Sequence, residues 1–276
     1  MLNLRLPSPV VELHDDRLAA AGVRVLLKRD DLIHPEVPGN KWRKLKYNLP
    51  PSGTTLLTFG GAYSNHLRAV AAAGHHYGFD TIGVVRGEEH LPLNPSLAYA
   101  TAHGMRLTYL DRTSYRSKDA ALAGLHQQFG DFYLLPEGGA NLHAVRGCAE
   151  LLGEITDPFD ALFCAVGTGT TLAGLAVGQQ LTIGVPVLKA ALEDDIVALQ
   201  QAAFGERVGR WRLEPGYHFG GYAKRKPALD SFIDDFSARH GLLLDWVYEA
   251  KMMYALFDQV RQGAFSTGTT IVALIN

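Results

Sequence analysis

The chain has 276 residues, of which 47% are hydrophobic and 20% charged, and its formal net charge is −2. This is an ordinary globular composition, long enough for one large α/β domain or two smaller ones. The near-neutral charge and the lack of a basic patch with interleaved aromatic residues argue against a nucleic-acid partner. No apolar run reaches the roughly 18 residues that a membrane-spanning helix needs.

Targeting and metal signals are also missing from the sequence. Residues 1–10 lack the charged leader, apolar core and cleavage site of a secretory signal. Cys148 and Cys164 lack CxxC spacing, so neither a disulfide framework nor a zinc site is predicted. The histidines are scattered, and the adjacent pair His75 and His76 does not have i, i+4 spacing, so no metal site is predicted. A reduced, cytoplasmic setting is expected.

Predicted strands and helices alternate almost throughout the chain. After an N-terminal arm at 1–22, strands are predicted at 23–28, 54–59, 81–85, 105–110, 132–135, 161–166, near 185–190 and at 269–275. Helices are predicted to open at Lys41 and to cover 67–77, 94–104, 115–129, 142–155, 172–180, 193–203, 228–240 and 249–262, with 205–227 irregular. This alternation predicts a parallel α/β architecture.

One lysine follows a Gly-Asn pair at the start of a predicted helix. Gly39 and Asn40 tolerate positive φ, so they can form a tight bend that fixes the direction of Lys41. Trp42 and Leu45 would share the buried face of the helix. A lysine that forms a Schiff base needs a fixed amine with a lowered pKa, and three further cations within the next five residues would lower it if they lie nearby. The alternative is a solvated basic helix.

Two glycine- and threonine-rich turns look alike but lead into different elements. Gly167–Thr171 follows an apolar strand and opens a helix, so its N–H groups and hydroxyls could bind an anion. Because it has neither a Walker lysine nor GxGxxG spacing, a single phosphate is the favoured ligand, with a capped glycine turn as the alternative. Ser266–Thr270 precedes a β-branched run and is interpreted as a hairpin or strand entry.

A second turn places a hydroxyl and an amide at a helix start. Ser64 could receive a substrate carboxylate or move a proton, and Asn65 could bond an aromatic hydroxyl; simple N-capping is the alternative for Ser64. Tyr222 and Tyr248 are candidate site residues, and the alternative for each is a role in packing. From the residues alone, Glu249 is an ordinary acidic residue in the first turn of a helix.

Five motifs carry a family resemblance over roughly residues 25 to 276, and they follow one another in the order that the family has them. They are Gly39–Leu45 preceded by Lys28–Asp31, Gly60–His66, Pro136–Gly139, Gly167–Thr171 and Trp246–Lys251. With these motifs the chain resembles the 1-aminocyclopropane-1-carboxylate (ACC) deaminase/D-cysteine desulfhydrase family. These are pyridoxal-phosphate (PLP) enzymes of the tryptophan-synthase-β type.

The resemblance implies a fold, a cofactor and a set of residue roles. The expected fold is a fold-type II PLP enzyme: two open parallel-sheet α/β domains, a larger one of 1–45 and 139–276 and a smaller one of 46–138, with the cofactor in the cleft between them and a homodimeric assembly. By resemblance, Lys41 would carry PLP, Gly167, Thr168, Gly169, Thr170 and Thr171 would hold its phosphate, Asn65 would bond its ring hydroxyl, Glu249 would face its pyridine nitrogen, Ser64 would meet the substrate carboxylate or move a proton, and Tyr222 and Tyr248 would lie over the substrate side.

The expected activity is that of a PLP-dependent deaminase or lyase, which releases ammonia and a 2-oxo acid from a small amino acid. Glu249 resembles the acid of the ACC deaminases, whereas Ser64-Asn65-His66 resembles the desulfhydrase form. The family usually continues past the position of Asn276 with a His-(Thr or Leu)-Gly-Gly segment that this sequence does not include. The alternatives are a PLP-binding protein without turnover and a Rossmann-type nucleotide enzyme, although the GxGxxG motif of the latter is missing.

Overall fold

The structure is a computed structural model that describes residues 2–276. Its strands are β1 (Val10–Leu13), β2 (Arg24–Arg29), β3 (Thr55–Gly60), β4 (Asp80–Arg86), β5 (Arg106–Leu110), β6 (Tyr133–Leu135), β7 (Ala161–Val166), β8 (Leu181–Pro186), β9 (Arg210–Leu213) and β10 (Thr270–Ile275). Its α-helices are α1 (Asp16–Ala20), α2 (Asn40–Leu45), α3 (Asn65–Tyr77), α4 (Pro95–Ala102), α5 (Arg112–Arg116), α6 (Lys118–Phe129), α7 (Leu142–Ala149), α8 (Thr170–Leu175), α9 (Glu193–Phe204), α10 (Pro227–His240) and α11 (Glu249–Arg261). Within residues 2–276, none of the helices has the length and apolar character required to cross a membrane.

The chain divides into two compact units. Unit 1 comprises residues 2–4 and His34–Ala140, and unit 2 comprises Arg5–Ile33 and Asn141–Asn276. The expected boundaries placed residues 34–45 with the larger domain, whereas the structure groups them with unit 1. The reason is that α2 packs against α3 and against the 3₁₀ turn Glu137–Gly139, both of which belong to unit 1.

Unit 1 is built on a four-stranded parallel sheet with the order β5-β4-β3-β6. The strand β3 is an almost continuous apolar run with buried residues from Leu56 to Gly60, as expected for a parallel strand covered on both faces. Because all four strands run in the same direction, their carboxyl ends lie at one edge, where α/β sheets place their ligand groups. The turn that follows Gly60 begins at this edge.

Unit 2 is built on a six-stranded sheet with the order β1-β2-β10-β7-β8-β9. All neighbours are parallel except β1, which pairs antiparallel with β2. The central strand β7 supplies alternate residues to two cores: Phe163 belongs to the core with α10 and α11, and Leu162 to the core with α8 and α9. The period of two along a strand thus separates the two helical layers.

The parallel α/β architecture predicted from the alternation of elements is confirmed, and several local predictions are wrong. The predicted arm contains β1 and α1, and the region predicted to be irregular contains β9. The predicted helix 115–129 is divided at Ser117, and the strand predicted near 185–190 lies earlier, at Leu181–Pro186. The interpretation of Ser266–Thr270 as a strand entry is confirmed, because β10 begins at Thr270.

Candidate active site

Lys41 lies in the first turn of α2 in unit 1. Gly39 caps this helix with φ of +57°, in the left-handed region that favours glycine, so the predicted bend is present. The Lys41 N–H donates to the Pro38 carbonyl at 3.1 Å, and Lys41 Nζ donates to Asn40 Oδ1 at 2.6 Å. Both backbone and side chain are therefore held in place.

The cations after Lys41 do not form a solvated face. Arg43 and Lys44 are 3% and 6% exposed, and they lie on the same helix as the buried Trp42 and Leu45. The alternative of a solvated basic helix is therefore wrong for these two cations. Both cations are therefore buried, and the charge of Lys44 acts on His66 in the first turns of α3.

Ser64 and Asn65 lie where β3 passes into α3. Ser64 Oγ accepts a hydrogen bond from the Leu67 N–H at 3.3 Å, so the N-cap predicted as an alternative is present. The hydroxyl proton of Ser64 can still be donated, because capping uses only an oxygen lone pair. Asn65 is the first residue of α3 and is exposed to solvent. A Cβ at Gly60 would lie 2.8 Å from Ser64 Oγ, so glycine allows this close return of the chain.

His66, the third residue of this turn, is buried and faces the sheet. Its Nε2 lies 2.9 Å from Thr58 Oγ1, and the Thr58 hydroxyl donates a hydrogen bond to the Leu135 carbonyl at 2.8 Å. The hydroxyl must then accept at His66, so Nε2 carries the imidazole proton and Nδ1 does not. Nδ1 has no hydrogen-bond partner among the described residues. Burial, with Lys41 and then Lys44, lowers the pKa of His66 to about 3.

The sequence motif contained His66, but its charge environment could not be predicted from the sequence. The signal available was its place directly after Ser64-Asn65, which indicated a helix start and not a burial state. The partners are remote in sequence: Thr58 is on β3, Leu135 ends β6, and Lys41 is on α2. Only the packing of unit 1 brings them together.

In unit 2, the glycine turn predicted to bind phosphate leaves β7 and opens α8. Gly169 has φ of +83°, and a Cβ there would lie 2.5 Å from Ile196 Cγ1 on α9. Within the described chain, α8 has no side-chain N-cap, so the N–H groups of its first turn remain available to an anion. The hydroxyls of Thr168 and Thr170 lie 3.0 Å apart, while Thr170 and Thr171 are buried.

Two tyrosines are brought together in unit 2, and one of them packs on the glycine turn. A Cβ at Gly167 would lie 3.3 Å from Tyr248 Cε1, so the ring covers the backbone of that residue. The Tyr222 and Tyr248 rings are 6.1 Å apart and nearly perpendicular, at 72°. Burial first, and then Tyr222, raise the pKa of Tyr248 well above its usual range, so its phenol stays protonated near neutral pH. Tyr222 is 46% exposed.

Glu249 directly follows Tyr248 and begins α11. Its side chain is 5% exposed, and Oε1 accepts a hydrogen bond from the Asn276 N–H at 3.3 Å. The Asp245 carboxylate organises the turn before the helix, because it accepts from the Tyr248 N–H at 2.7 Å and the Val247 N–H at 2.9 Å. Glu249 is thus an acid buried at a fixed position beside Tyr248.

A group of potential metal ligands lies elsewhere in unit 1, although no metal site was predicted. His34, Glu36 and His76 place their ligand atoms within 4.8 Å of one another. The Glu36 carboxylate already bonds His76 at 2.6 Å, and it also bonds Tyr99 and His103, each at 2.9 Å. These hydrogen bonds account for the cluster and tie the loop before α2 to α3 and α4. The scattered histidines meet only through tertiary packing.

Each unit contains one group that suits part of a phosphorylated aldehyde. In unit 2, Gly167 and Gly169 let the turn before α8 pack closely against Tyr248 and Ile196, and the first N–H groups of that helix suit one phosphate. In unit 1, the Lys41 amine is fixed at a helix start and can form a Schiff base. PLP has both groups, and the residues therefore fit it.

Comparisons with known proteins agree with this assignment. The family model of the pyridoxal-phosphate dependent enzymes matches residues 2–276. A Pyrococcus furiosus protein provisionally named 1-aminocyclopropane-1-carboxylate deaminase is 30% identical over 275 residues, covering 88% of this chain and 81% of that protein. The D-cysteine desulfhydrase of Salmonella schwarzengrund is 28% identical over 278 residues, covering 89% and 84%. A crystal structure described as an ACC deaminase homologue superimposes with a TM-score of 0.83 at 27% identity, covering 99% of this chain and 89% of that one.

Proposed function

Since the chain belongs to the family of pyridoxal-phosphate dependent enzymes and has their type II fold, we propose that it is a deaminase or lyase that releases ammonia and a 2-oxo acid from a small amino acid. The observation that carries the proposal is the fixed Lys41 amine in the same unit as the Ser64–Asn65 helix start. The similarity to a D-cysteine desulfhydrase supports the substrate class.

In this proposal the cofactor is held by the residues that the five sequence motifs indicate. Lys41 would bind PLP covalently, and Asn65 would bond its ring hydroxyl. The turn Gly167–Thr171 would hold the phosphate, and Glu249 would face the pyridine nitrogen. When bound, PLP supplies an electron sink for charge that develops on the substrate carbon. A buried carboxylate at Glu249 would keep that sink effective by holding a proton on the ring nitrogen.

The protein's own groups would bind the substrate and move its protons. Ser64 would donate a hydrogen bond from its hydroxyl to the substrate carboxylate, since its oxygen is already oriented by the Leu67 N–H. The Lys41 amine, once it is released from the cofactor, or Ser64 would accept the proton that leaves the substrate. The Tyr248 phenol stays protonated and could serve as a hydrogen-bond donor on the substrate side, with Tyr222 next to it.

Two substrates fit this proposal, and they require different chemistry. D-Cysteine has an α-hydrogen and a β-thiol leaving group, so proton removal, loss of the thiol as hydrogen sulfide and hydrolysis by one water molecule would lead to pyruvate and ammonia. ACC has no α-hydrogen, so opening of its ring must begin at another position. Tyr222 and Tyr248 would then contribute more to catalysis than they do with D-cysteine. A relative of the chain carries each name, which supports both substrates.

The deciding experiment is the visible absorption spectrum of the purified protein loaded with PLP, before and after D-cysteine and then ACC. We expect a cofactor band that changes with one compound, together with pyruvate from D-cysteine or 2-oxobutanoate from ACC. A protein that takes up PLP but forms no oxo acid from either compound, or from other amino acids with a β-leaving group, would be a binding protein without turnover. A protein that takes up no PLP would contradict the whole proposal.

We further propose a homodimeric assembly and a cytoplasmic location. The support for the dimer is the family resemblance, and the support for the location is the sequence composition together with its cysteine usage. Sedimentation equilibrium on the PLP-loaded protein tests the first, since a mass of one chain at micromolar concentration would contradict it. Fractionation of the source cells tests the second.

A further inference from the structure

Lys251 is a buried lysine in unit 2 to which the proposed mechanism gives no role. It occupies the third position of α11, and its side chain is 0% exposed. Nζ donates to the carbonyl of His218 at 2.9 Å, of Gly221 at 2.9 Å and of Val187 at 3.2 Å. An ammonium has three N–H groups, so this one is fully satisfied by backbone dipoles alone. Burial accordingly lowers its pKa.

The three carbonyls belong to two segments, each next to a residue of the proposed site. His218 and Gly221 lie in the irregular segment 215–222, which ends at Tyr222. Val187 follows β8, and its N–H donates to the carbonyl of Val166, the residue before Gly167, at 3.0 Å. One ammonium therefore connects the segment that carries Tyr222 with the strand end next to the phosphate turn.

Besides the Lys251 contacts, the Tyr217 hydroxyl of the segment 215–222 donates to Asp258 at 2.9 Å, and the Gly220 N–H donates to His218 Nδ1 at 2.9 Å. Phe219 has φ of +53°, and Gly220 and Gly221 have φ of +106° and +125°. A non-glycine residue with positive φ is strained and persists only where its surroundings hold it. Phe219 does pack on Tyr254 of α11, with ring centroids 4.9 Å apart. The Lys251 hydrogen bonds fix the backbone on both sides of this strained residue.

We propose that Lys251 is a positioning residue that holds the segment 215–222 in the conformation that sets Tyr222 against Tyr248. Its N–H groups fix the carbonyls of His218 and Gly221, and Tyr222 follows at once. The effect on the segment stands on the structure alone, whereas the consequence for turnover rests on the proposed function. Lys251 acts through Tyr222 and is not itself expected to contact substrate or cofactor.

The test compares Lys251→Met with Lys28→Met in the PLP-loaded enzyme. Lys28 is a matched control because it is also a 0% exposed lysine of unit 2, but it bonds the Ser8 carbonyl and Glu154. Both variants lose hydrogen bonds of a buried charge, and both are expected to be less stable. Amide hydrogen exchange in 215–222 should rise about tenfold or more in Lys251→Met only, since the local opening there loses its restraint. Equal exchange in the two variants would overturn the proposal.

A second measurement concerns turnover and separates this proposal from the proposed function. If Lys251 acts through Tyr222, the losses in kcat/KM caused by Lys251→Met and Tyr222→Phe should be clearly less than multiplicative in the double variant. Fully multiplicative losses would remove the link to Tyr222. If the protein turns over no substrate, the exchange experiment still decides the role of Lys251. Should Lys251→Met not fold, Lys251→Gln keeps two N–H donors without the charge, and its exchange in 215–222 is expected to lie between that of the wild type and tenfold above it.

Discussion

The hydroxyl of Thr58 accepts a hydrogen bond from His66 Nε2 and donates a hydrogen bond to the Leu135 carbonyl. This relationship fixes one tautomer of a fully buried imidazole and links the start of α3 to two neighbouring strands of unit 1. The turn that carries Ser64 and Asn65 is thereby fixed to the sheet of unit 1.

Loss of the Thr58 hydrogen bonds should reduce the stability of the protein. Thr58→Val keeps the side-chain shape but leaves the His66 N–H and the Leu135 carbonyl without their partner, so we expect a decrease of about 1–3 kcal/mol in the free energy of unfolding. Thr55→Val makes the same chemical change at the half-buried start of β3 and serves as the control. Urea denaturation measures both, and equal losses would show that the Thr58 hydrogen bonds contribute nothing specific.

The neutral imidazole also predicts how stability depends on pH. Folding lowers the pKa of His66 from 6.5 to about 3, so the unfolded chain binds a proton that the folded protein does not. The free energy of unfolding that depends on a neutral His66 is therefore fully present above pH 6.5. It decreases as the pH falls toward 3, with a slope of up to about 1.4 kcal/mol per pH unit. Between about pH 5 and 6.5 the carboxylates with lowered pKa, such as Glu36, are still ionised.

The comparison for this pH effect is His66→Gln over the same interval. His34 also has a lowered pKa, because of burial, and both proteins contain it, so the difference between their slopes isolates His66. We expect the wild-type urea midpoint to fall more steeply with decreasing pH than that of the variant. Parallel curves would mean that His66 takes up its proton without unfolding the protein.

The proposed role of Lys41 leads to a covalent test. Lys41→Ala removes the amine, so we expect no PLP to remain attached after borohydride reduction and mass spectrometry of the denatured chain. Lys46→Ala removes a half-buried lysine of the same segment and should still retain the label. A reduced adduct in Lys41→Ala would assign the bond to another lysine.

The glycine turn of unit 2 gives a prediction about the phosphate. Gly169→Ala adds a Cβ at φ of +83° and only 2.5 Å from Ile196, whereas Gly205→Ala adds one at φ of +87° into open space at the end of the same α9 helix. Both should lose about 1–2 kcal/mol of stability through backbone strain. Only Gly169→Ala should also bind PLP at least about tenfold more weakly, because the turn must shift to relieve the contact. Equilibrium dialysis with PLP measures this, and equal affinities would exclude the turn from phosphate binding.

The parts of the fold that could be predicted from the sequence are those defined by local pattern. Gly39 and Asn40 indicated the bend before Lys41, and the apolar run of β7 was predicted with its observed bounds. The short strands β1 and β9 were missed because their four residues become strands only by pairing with β2 and β8.

The positions of the candidate site residues could be predicted from the sequence better than their burial and their hydrogen-bond partners. Ser64 and the glycine turn at Gly167–Thr171 stand at helix starts, as their residue types indicated. The burial of His66 and the bonding of Lys251 depend on partners remote in sequence, Thr58 and Leu135 for the first and Val187 for the second. Such contacts follow from tertiary packing, which no local pattern contains.

The six-stranded sheet of unit 2 ends in a four-residue strand on either side, and this has a consequence for how the protein behaves when crowded with copies of itself. An open sheet edge can recruit a strand from another molecule. At one edge, β1 follows Pro9, a residue that cannot donate a backbone hydrogen bond. At the other, β9 alternates the buried Trp211 with the exposed cations Arg210 and Arg212. Both edges are too short, or too charged, to serve as a template for strand addition, so the sheet resists growth into an aggregate.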